Sequence, residues 1–458
     1  MTSASRLLAA GLLAAVLVRG LLAILPAGVP LETKVVHSVS DAAEYLALGS
    51  SLAFHRSFAL DPGPLARPEL FRTPGWPMLL APLFRFFANP LPAVIALQAL
   101  LSVLLVIATF RFACRLGLEP RHAGLAALFV GLSPNLAFLA TKAVSETLFT
   151  VLLLTCLLLF QRWRESGRAR EAVACGVAAG LLVLVRPIAL FFPLLLSLLA
   201  LLLSGFRTLH RVVHALLLLA CAALAVLPWV TRNARASGRW VVSTAGEHNL
   251  FLYNGATALA AARGIGIEAA RDSMRQEAES RFGPLDPADE VGFWRALGRI
   301  GAETVLRHPG PALVSQFGGL VGCFAGPLSL GPLLVHAGKP PSRDRVWQAA
   351  LAMAARGRPT AALKLVRESR LAGAGTFATT VLVISSLFLL GLVTLAVAGL
   401  ARCRELRWLV APILYFTVLA GPVGEARFRA PVEPILCLLA AAALARRPAA
   451  GSRRRHQA

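Results

Sequence analysis

Three acidic side chains and a set of arginines stand where they can move a proton beside an anion. The run Ser38-Val39-Ser40-Asp41-Ala42-Ala43-Glu44-Tyr45, continuing to Gly49, puts Asp41, Glu44, Tyr45 and Leu48 at i, i+3, i+4 and i+7. That spacing is one face of a helix. Two carboxylates so placed can share general-base work, one taking a proton while the other orients or tunes it. The same Asp-x-x-Glu also reads as a capping box at a helix start, and spacing alone leaves both readings open. Further on comes Arg67-Pro68-Glu69-Leu70-Phe71-Arg72-Thr73-Pro74-Gly75-Trp76-Pro77. Its prolines and glycine make a rigid turn. Arg72 there can clamp a phosphate, because its planar fork matches oxyanions. It can equally anchor a lipid headgroup beside an interfacial Trp76.

Glu146 follows four residues after Lys142. A carboxylate near the start of an apolar run is costly unless it faces a cavity or a partner; a local pair with Lys142 is the alternative. Arg186-Pro187, Arg232-Asn233, and Arg427 with Arg429 in Glu425-Ala426-Arg427-Phe428-Arg429 add guanidinium groups at the ends of other apolar runs. Singly, each reads as a headgroup contact. Acids and bases that converge from distant parts of a chain suit a site for an anionic lipid. Arg19, inside the first apolar run, is expected to reach outward to the interface.

The elements that must position these groups are membrane spans. Of 458 residues, 57% are hydrophobic and only 15% charged, against about 25% charged in a soluble domain. The stretches 91–110, 123–140, 187–204 and 376–400 hold no Asp, Glu, Lys or Arg, and about 18–20 apolar residues cross a bilayer. The net charge of +23 comes almost wholly from arginine. In a chain with no soluble domain this reads as the positive-inside rule and not as nucleic-acid binding. Arginines at 111–121, 162–170, 207–211, 402–407 and after 446 mark cytoplasmic loops. Alternating between them gives an all-α, polytopic helical bundle of about ten spans, or eleven to twelve, with both termini inside. The first span, 7–25, is read as uncleaved.

Three regions follow. Residues 1–230 form a catalytic membrane module with a first outer loop at 26–90. Residues 231–375 form an outer, interfacial segment with amphipathic helices in 261–310. Residues 376–458 hold the last spans and a basic cytoplasmic tail. The first outer loop should carry an amphipathic helix too. His308-Pro309 should end a helix, and the basic stretch 339–370 reads as another interfacial segment. The uncharged, Gly- and Pro-rich stretch 311–336 is expected to be re-entrant, interfacial or a hairpin. There is no Walker A run, no H-E-x-x-H and no G-x-S-x-G, and no two of the seven cysteines have C-x-x-C spacing.

The order of these motifs resembles a family. An outer-loop Asp-x-x-Glu-Tyr with Gly49 is followed by Arg72-Thr73-Pro74-Gly75-Trp76-Pro77, then Ser133-Pro134-Asn135 with Ser145-Glu146. Arg186-Pro187, Pro228-Trp229-x-x-Arg232-Asn233 and a late Arg427-x-Arg429-x-Pro431 complete it. This is similar to the GT-C glycosyltransferases, and within them to the bacterial family 39-like proteins related to protein mannosyltransferases and to lipid A aminoarabinose and galacturonic acid transferases. The resemblance implies a transferase in the bacterial inner membrane, its active site facing the periplasm. It would move a hexose or pentose from a polyprenyl-phosphate donor to a lipid, glycan or protein acceptor, usually with inversion. It implies Asp41 as catalytic base, with Glu44 as the other candidate, and Glu146 as a second acidic position. Donor phosphate would be held by Arg72, Arg232, Arg427 and Arg429, in a pocket with Tyr45, Trp76, Lys142 and Asn233. No cofactor is required on this reading, no metal ligands are assigned, and dependence on a divalent metal is left open. A lipid or glycan transporter, or a non-catalytic envelope protein, are the other classes that such intramembrane charges allow.

Overall fold

The computed structural model describes residues 2–63, 66–339 and 375–445, with 353, 358, 360, 361 and 364 between the last two. The expectations for the basic stretch 339–370 and for the tail after Arg446 therefore fall almost wholly outside the described residues. Among these residues every regular element is helical.

The N-terminal part runs α1 (Ser3–Ile24), a π-turn (Thr33–His37), α2 (Ser40–His55), α3 (Gly75–Phe86), α4 (Pro90–Arg115), α5 (Pro120–Leu132), α6 (Pro134–Leu139), α7 (Glu146–Ser166) and α8 (Ala169–Val185). Next come α9 (Phe192–Leu203) and α10 (Thr208–Ser237). A smaller group follows: α11 (Ala245–Asn249), a second π-turn (Leu250–Gly255), α12 (Ala256–Arg263), α13 (Ile267–Phe282) and α14 (Glu290–Arg307). The last described elements are α15 (Pro309–Ala325), α16 (Leu330–His336), α17 (Gly375–Arg402), α18 (Val410–Val418) and α19 (Glu433–Ala443), with a short turn at Ala426–Arg429 before α19.

Five of these helices, α1, α4, α7, α10 and α17, are long and apolar enough to cross a membrane. The bent pair α15–α16 makes a sixth if counted as one span. The other expected crossings are realised as shorter helices, because proline interrupts them. A residue before proline is pushed out of the α region. Arg186, before Pro187, is extended at φ −147°, ψ 124° and ends α8. His308 before Pro309 ends α14, as the sequence predicts. Gly326 before Pro327 ends α15, and α16 leaves at a 44° bend. The stretch 311–336 is thus a broken span or a re-entrant loop.

Inside the bundle α8 lies between α7 and α10, α4 touches α5 and α7, α1 runs against α5, and α19 packs on α5 and α17. Trp76, Phe112, Phe149, Phe160 and Phe192 fill the common core. Apolar side chains also cover the outside. Leu13, Leu17 and Ile24 on α1 are 59%, 59% and 70% exposed, and Leu387 and Leu390 on α17 are 67% and 68% exposed. Such surfaces need a lipid solvent.

The amphipathic helices of 261–310 form a small cap with its own core of Phe251, Leu259, Met274, Leu297 and Ile300. Their apolar faces meet one another and the second π-turn. The outer face carries a lattice of Arg281 and Arg307 on Glu277 and Glu303. Exposed pairs of this kind are screened by water and contribute little, so the buried apolar face holds the cap together.

Candidate active site

Helix α2 begins at Ser40, and its N-cap, Val39, makes no side-chain capping bond. Asp41 and Glu44 are therefore free to act elsewhere, and both turn to Arg72. Arg72 donates Nη2 to Asp41 Oδ1 at 2.9 Å and Nε to Glu44 Oε2 at 2.6 Å. The other oxygen of Asp41 accepts from Arg427 Nη2 at 2.5 Å. Arg427 also donates Nε to Glu146 Oε1 at 3.0 Å, and Arg186 Nη1 reaches the same oxygen at 2.7 Å. The result is a chain of six charges: Glu44, Arg72, Asp41, Arg427, Glu146 and Arg186. Three carboxylates balance three guanidinium groups, drawn from segments as far apart in sequence as residues 41 and 427.

Glu146 is fully buried, and its Oε2 finds no hydrogen-bond partner among the described residues. Burial alone would raise the Asp41 carboxyl, but Arg427 first and Arg72 next outweigh it and hold it well below the usual carboxylate range. For Arg427 burial favours the neutral form, yet Glu146 and Asp41 push the guanidinium above its ordinary value.

Close backbone contacts set these distances. A Cβ on Gly75 would stand 2.8 Å from the Leu184 carbonyl, so only glycine lets the start of α3, and Arg72 before it, approach the end of α8 and Arg186. A Cβ on Gly424 would lie 1.7 Å from the Gly319 carbonyl oxygen. That contact presses the segment 421–424 onto α15 and fixes the approach of Arg427. The turn 141–145, which delivers Glu146, is tied from several sides. Gln98 Nε2 donates to the carbonyls of Lys142 and Val144, both at 2.8 Å. Trp76 Nε1 donates to the Ala143 carbonyl at 3.1 Å, and the Tyr45 and Ser145 hydroxyls are 3.3 Å apart.

Other expected site residues lie apart from the network. Lys142 is buried, and its Nζ meets the Lys34 carbonyl at 2.6 Å and His336 Nδ1 at 2.5 Å. It makes no pair with Glu146, because α7 begins only at Glu146 and the i, i+4 rule needs a helix across both residues. Arg232 donates to the carbonyls of Glu69 at 2.8 Å and Phe58 at 2.9 Å, lacing the first outer loop to α10. Asn233 accepts from Arg232 and donates to the Val241 carbonyl at 3.0 Å. Arg429 is buried, pairs with Glu433 at 3.1 Å, and donates to the carbonyls of Cys323 and Gly326 at 2.5 and 2.7 Å, closing the end of α15. Arg19 corrects the outward expectation: it is buried and donates to the Gly131 carbonyl at 2.9 Å. Arg186 is a member to which the sequence assigned no individual role beyond a headgroup contact or a share in a converging anionic-lipid site. Its signal was an arginine held extended by a following proline at the end of an apolar helix. Among the described residues, no three His, Cys, Asp or Glu side chains gather as a metal site.

The network also has a defined side. Helix α7 runs for 21 residues from Glu146 to Ser166, so the site lies about 30 Å from the arginine loops at 111–121 and 162–170.

Residues 71–231 match the family model of dolichyl-phosphate-mannose-protein mannosyltransferases. That stretch is just over a third of the chain and contains Arg72, Glu146 and Arg186. No curated protein matches the chain. Among solved structures, the chain is similar to the apo oligosaccharyltransferase of Archaeoglobus fulgidus at 14% identity, covering 95% of this chain and 50% of that one, with a TM-score of 0.48. It is similar to AglB of the same organism in complex with an inhibitory peptide and a dolichol-phosphate, at 14% identity, 95% and 50% coverage and TM-score 0.44. It is also similar to ArnT from Cupriavidus metallidurans bound to undecaprenyl phosphate, at 14% identity, 96% and 77% coverage and TM-score 0.39. The chain spans about half the length of the archaeal structures. The family match over 71–231 supports a glycosyltransferase of the GT-C superfamily.

Proposed function

We propose that the chain transfers a sugar from a polyprenyl-phosphate donor to an envelope acceptor, on the membrane face opposite its arginine-rich loops, which by the positive-inside rule is the outer face of a bacterial inner membrane. The observation that carries this reading is the charge network: a carboxylate held between two guanidinium groups at the end of a membrane bundle. Attack by an acceptor hydroxyl needs a base, and the Asp41 carboxylate takes the proton as the new C–O bond forms at the anomeric carbon. The bond from that carbon to the phosphate breaks, and its electron pair stays on the phosphate oxygen. Arg72 and Arg427 stabilise the charge that gathers there. Direct attack by the acceptor inverts the anomeric carbon.

In the ligand-free arrangement Asp41 is a poor base, because both guanidinium groups hold its charge. A donor phosphate competes for the same two arginines. Its arrival draws them off the carboxylate and raises the proton affinity of Asp41, so donor binds before acceptor is activated. Glu44 and Glu146 keep Arg72 and Arg427 in place meanwhile. Arg232 and Arg429 act as loop anchors in this account.

The test is transfer by purified protein in bilayer discs, with radiolabelled undecaprenyl-phosphoryl sugars and extracted envelope lipids, glycans and proteins as acceptors. Labelled product is expected, and Arg72→Ala should lower its rate by about 10²–10³-fold. Absence of product with every acceptor, alongside saturable movement of labelled lipid between leaflets, would instead make the chain a transporter.

A further inference from the structure

Next to Arg72 lies a group of aromatic rings that the steps above do not use. The Arg72 guanidinium carbon is 4.7 Å from the ring centre of Phe71. His248 meets Phe71 edge-on at 4.8 Å, Trp294 at 4.4 Å and Tyr253 at 6.4 Å. All four rings are partly exposed, and His248 Nδ1 is buried with no hydrogen-bond partner among the described residues. They belong to different elements: Phe71 to the outer loop, His248 to α11, Tyr253 to the second π-turn and Trp294 to α14. Segments of π-helix are rare and concentrate at functional sites. This one is held by Arg271, whose Nη2 donates to the Leu252 carbonyl at 2.8 Å. Its Asn254 stands 3.4 Å from where a Cβ on Gly421 would be, and Gly421 has a positive φ of 69°. The π-turn thus reaches from the rings beside Arg72 to the segment that delivers Arg427.

A sugar ring offers an apolar C–H face and a rim of hydroxyls. Aromatic faces cover the first, and a few fixed polar atoms read the second. We propose that Phe71, His248, Tyr253 and Trp294 form the wall that receives the sugar carried on the donor phosphate, with the His248 imidazole bonded to one of its hydroxyls. The inference rests on the polyprenyl-phosphate donor proposed above. Position favours the donor's sugar over the acceptor's: the group starts at Phe71, whose ring centre is 4.7 Å from the guanidinium that would hold the phosphate. Burial first, then Arg72 and Arg271, lower the His248 pKa to about 4, so the imidazole stays neutral and can accept at one nitrogen while donating at the other.

The experiment compares binding of three probes to the purified full chain by native mass spectrometry: undecaprenyl phosphate, undecaprenyl-phosphoryl mannose and undecaprenyl-phosphoryl glucose. Wild-type protein should bind at least one glycosylated lipid roughly tenfold more tightly than the bare phosphate. His248→Ala and Tyr253→Ala should each shrink that ratio several-fold while leaving bare-lipid affinity unchanged, a split that loss of fold would not give. Trp294→Phe, which keeps the cap core filled, should shrink it less. Equal binding of all three lipids by wild type, or variants that retain the preference, would overturn the inference. So would variants that raise only the acceptor KM, since that puts the rings on the acceptor side. Wild-type protein that binds none of the three lipids would count against the donor reading itself.

Discussion

At the scale of single residues, Asp41 is the focus, and its neighbours have distinct parts. Asp41→Asn should remove transfer by about 10²–10⁴-fold, the usual contribution of a general base. Glu44→Gln should cost less, because the glutamine amide oxygen can still accept from Arg72 Nε and keep that side chain in place. Arg427→Met is a stability change as much as a catalytic one. It leaves Asp41 and fully buried Glu146 short of a counter-charge, and breaking such a pair costs about 3–5 kcal/mol; thermal unfolding in detergent measures it. The pH dependence of stability has a residue-scale signature too. His248 has a folded pKa near 4 against an ordinary 6.5. Between those values the unfolded chain binds a proton that the folded protein does not. Stability from this group is therefore complete above pH 6.5 and is lost as pH falls toward 4, and His248→Ala should flatten the melting temperature over that window. Asp41 behaves likewise at lower pH: as pH falls below its ordinary value of 3.8 the unfolded chain takes up a proton that the folded carboxylate, held down by Arg427 and Arg72, still refuses, and its stabilising contribution is lost.

At the scale of elements, local motifs were legible and long-range partners were not. The face made by Asp41, Glu44, Tyr45 and Leu48 could be read from spacing, and Arg72 from a turn built of proline and glycine. Nothing in the sequence pairs Asp41 with Arg427, because 386 residues separate them and tertiary packing brings them together: 421–424 on α15, and the Asn135 amide on the Ala426 carbonyl. Arg427 and Arg429 looked equivalent in the sequence, yet two residues along a short turn send them to different places: one to Asp41, the other to Glu433 and the end of α15. Lys142 and Glu146 had helical spacing without a helix. The glycine contact gives the sharpest element-scale test. Gly424→Ala adds one methyl 1.7 Å from a carbonyl oxygen, so the segment must shift and take Arg427 with it. Helical content by circular dichroism should hold while transfer falls at least tenfold; unchanged transfer would mean that the α15 contact does not set the position of Arg427.

At the scale of the whole molecule, composition made the helical membrane bundle legible. The number of spans was harder, because prolines divide apolar runs into helices too short to cross alone, as at Ser133-Pro134 and Arg186-Pro187. The same divisions place polar residues where a continuous helix could not. The bundle then separates its charges along the axis: arginine loops at one end, the balanced network at the other, with α7 joining them. Cysteines introduced at Arg168 and at Arg56 should label from opposite sides of sealed inverted vesicles, and labelling from one side would place the network and the arginine loops on a common face.

The central claim is that Asp41 becomes a base once a lipid phosphate has taken its arginines. Single-turnover transfer by Asp41→Asn protein preloaded with labelled undecaprenyl-phosphoryl sugar tests it most directly. The variant should hold the donor as well as wild type does, or better, because phosphate no longer competes with a carboxylate for Arg72 and Arg427, and transfer should fall by at least 10²-fold. Donor lost together with activity, or transfer undiminished with donor bound, would contradict the account.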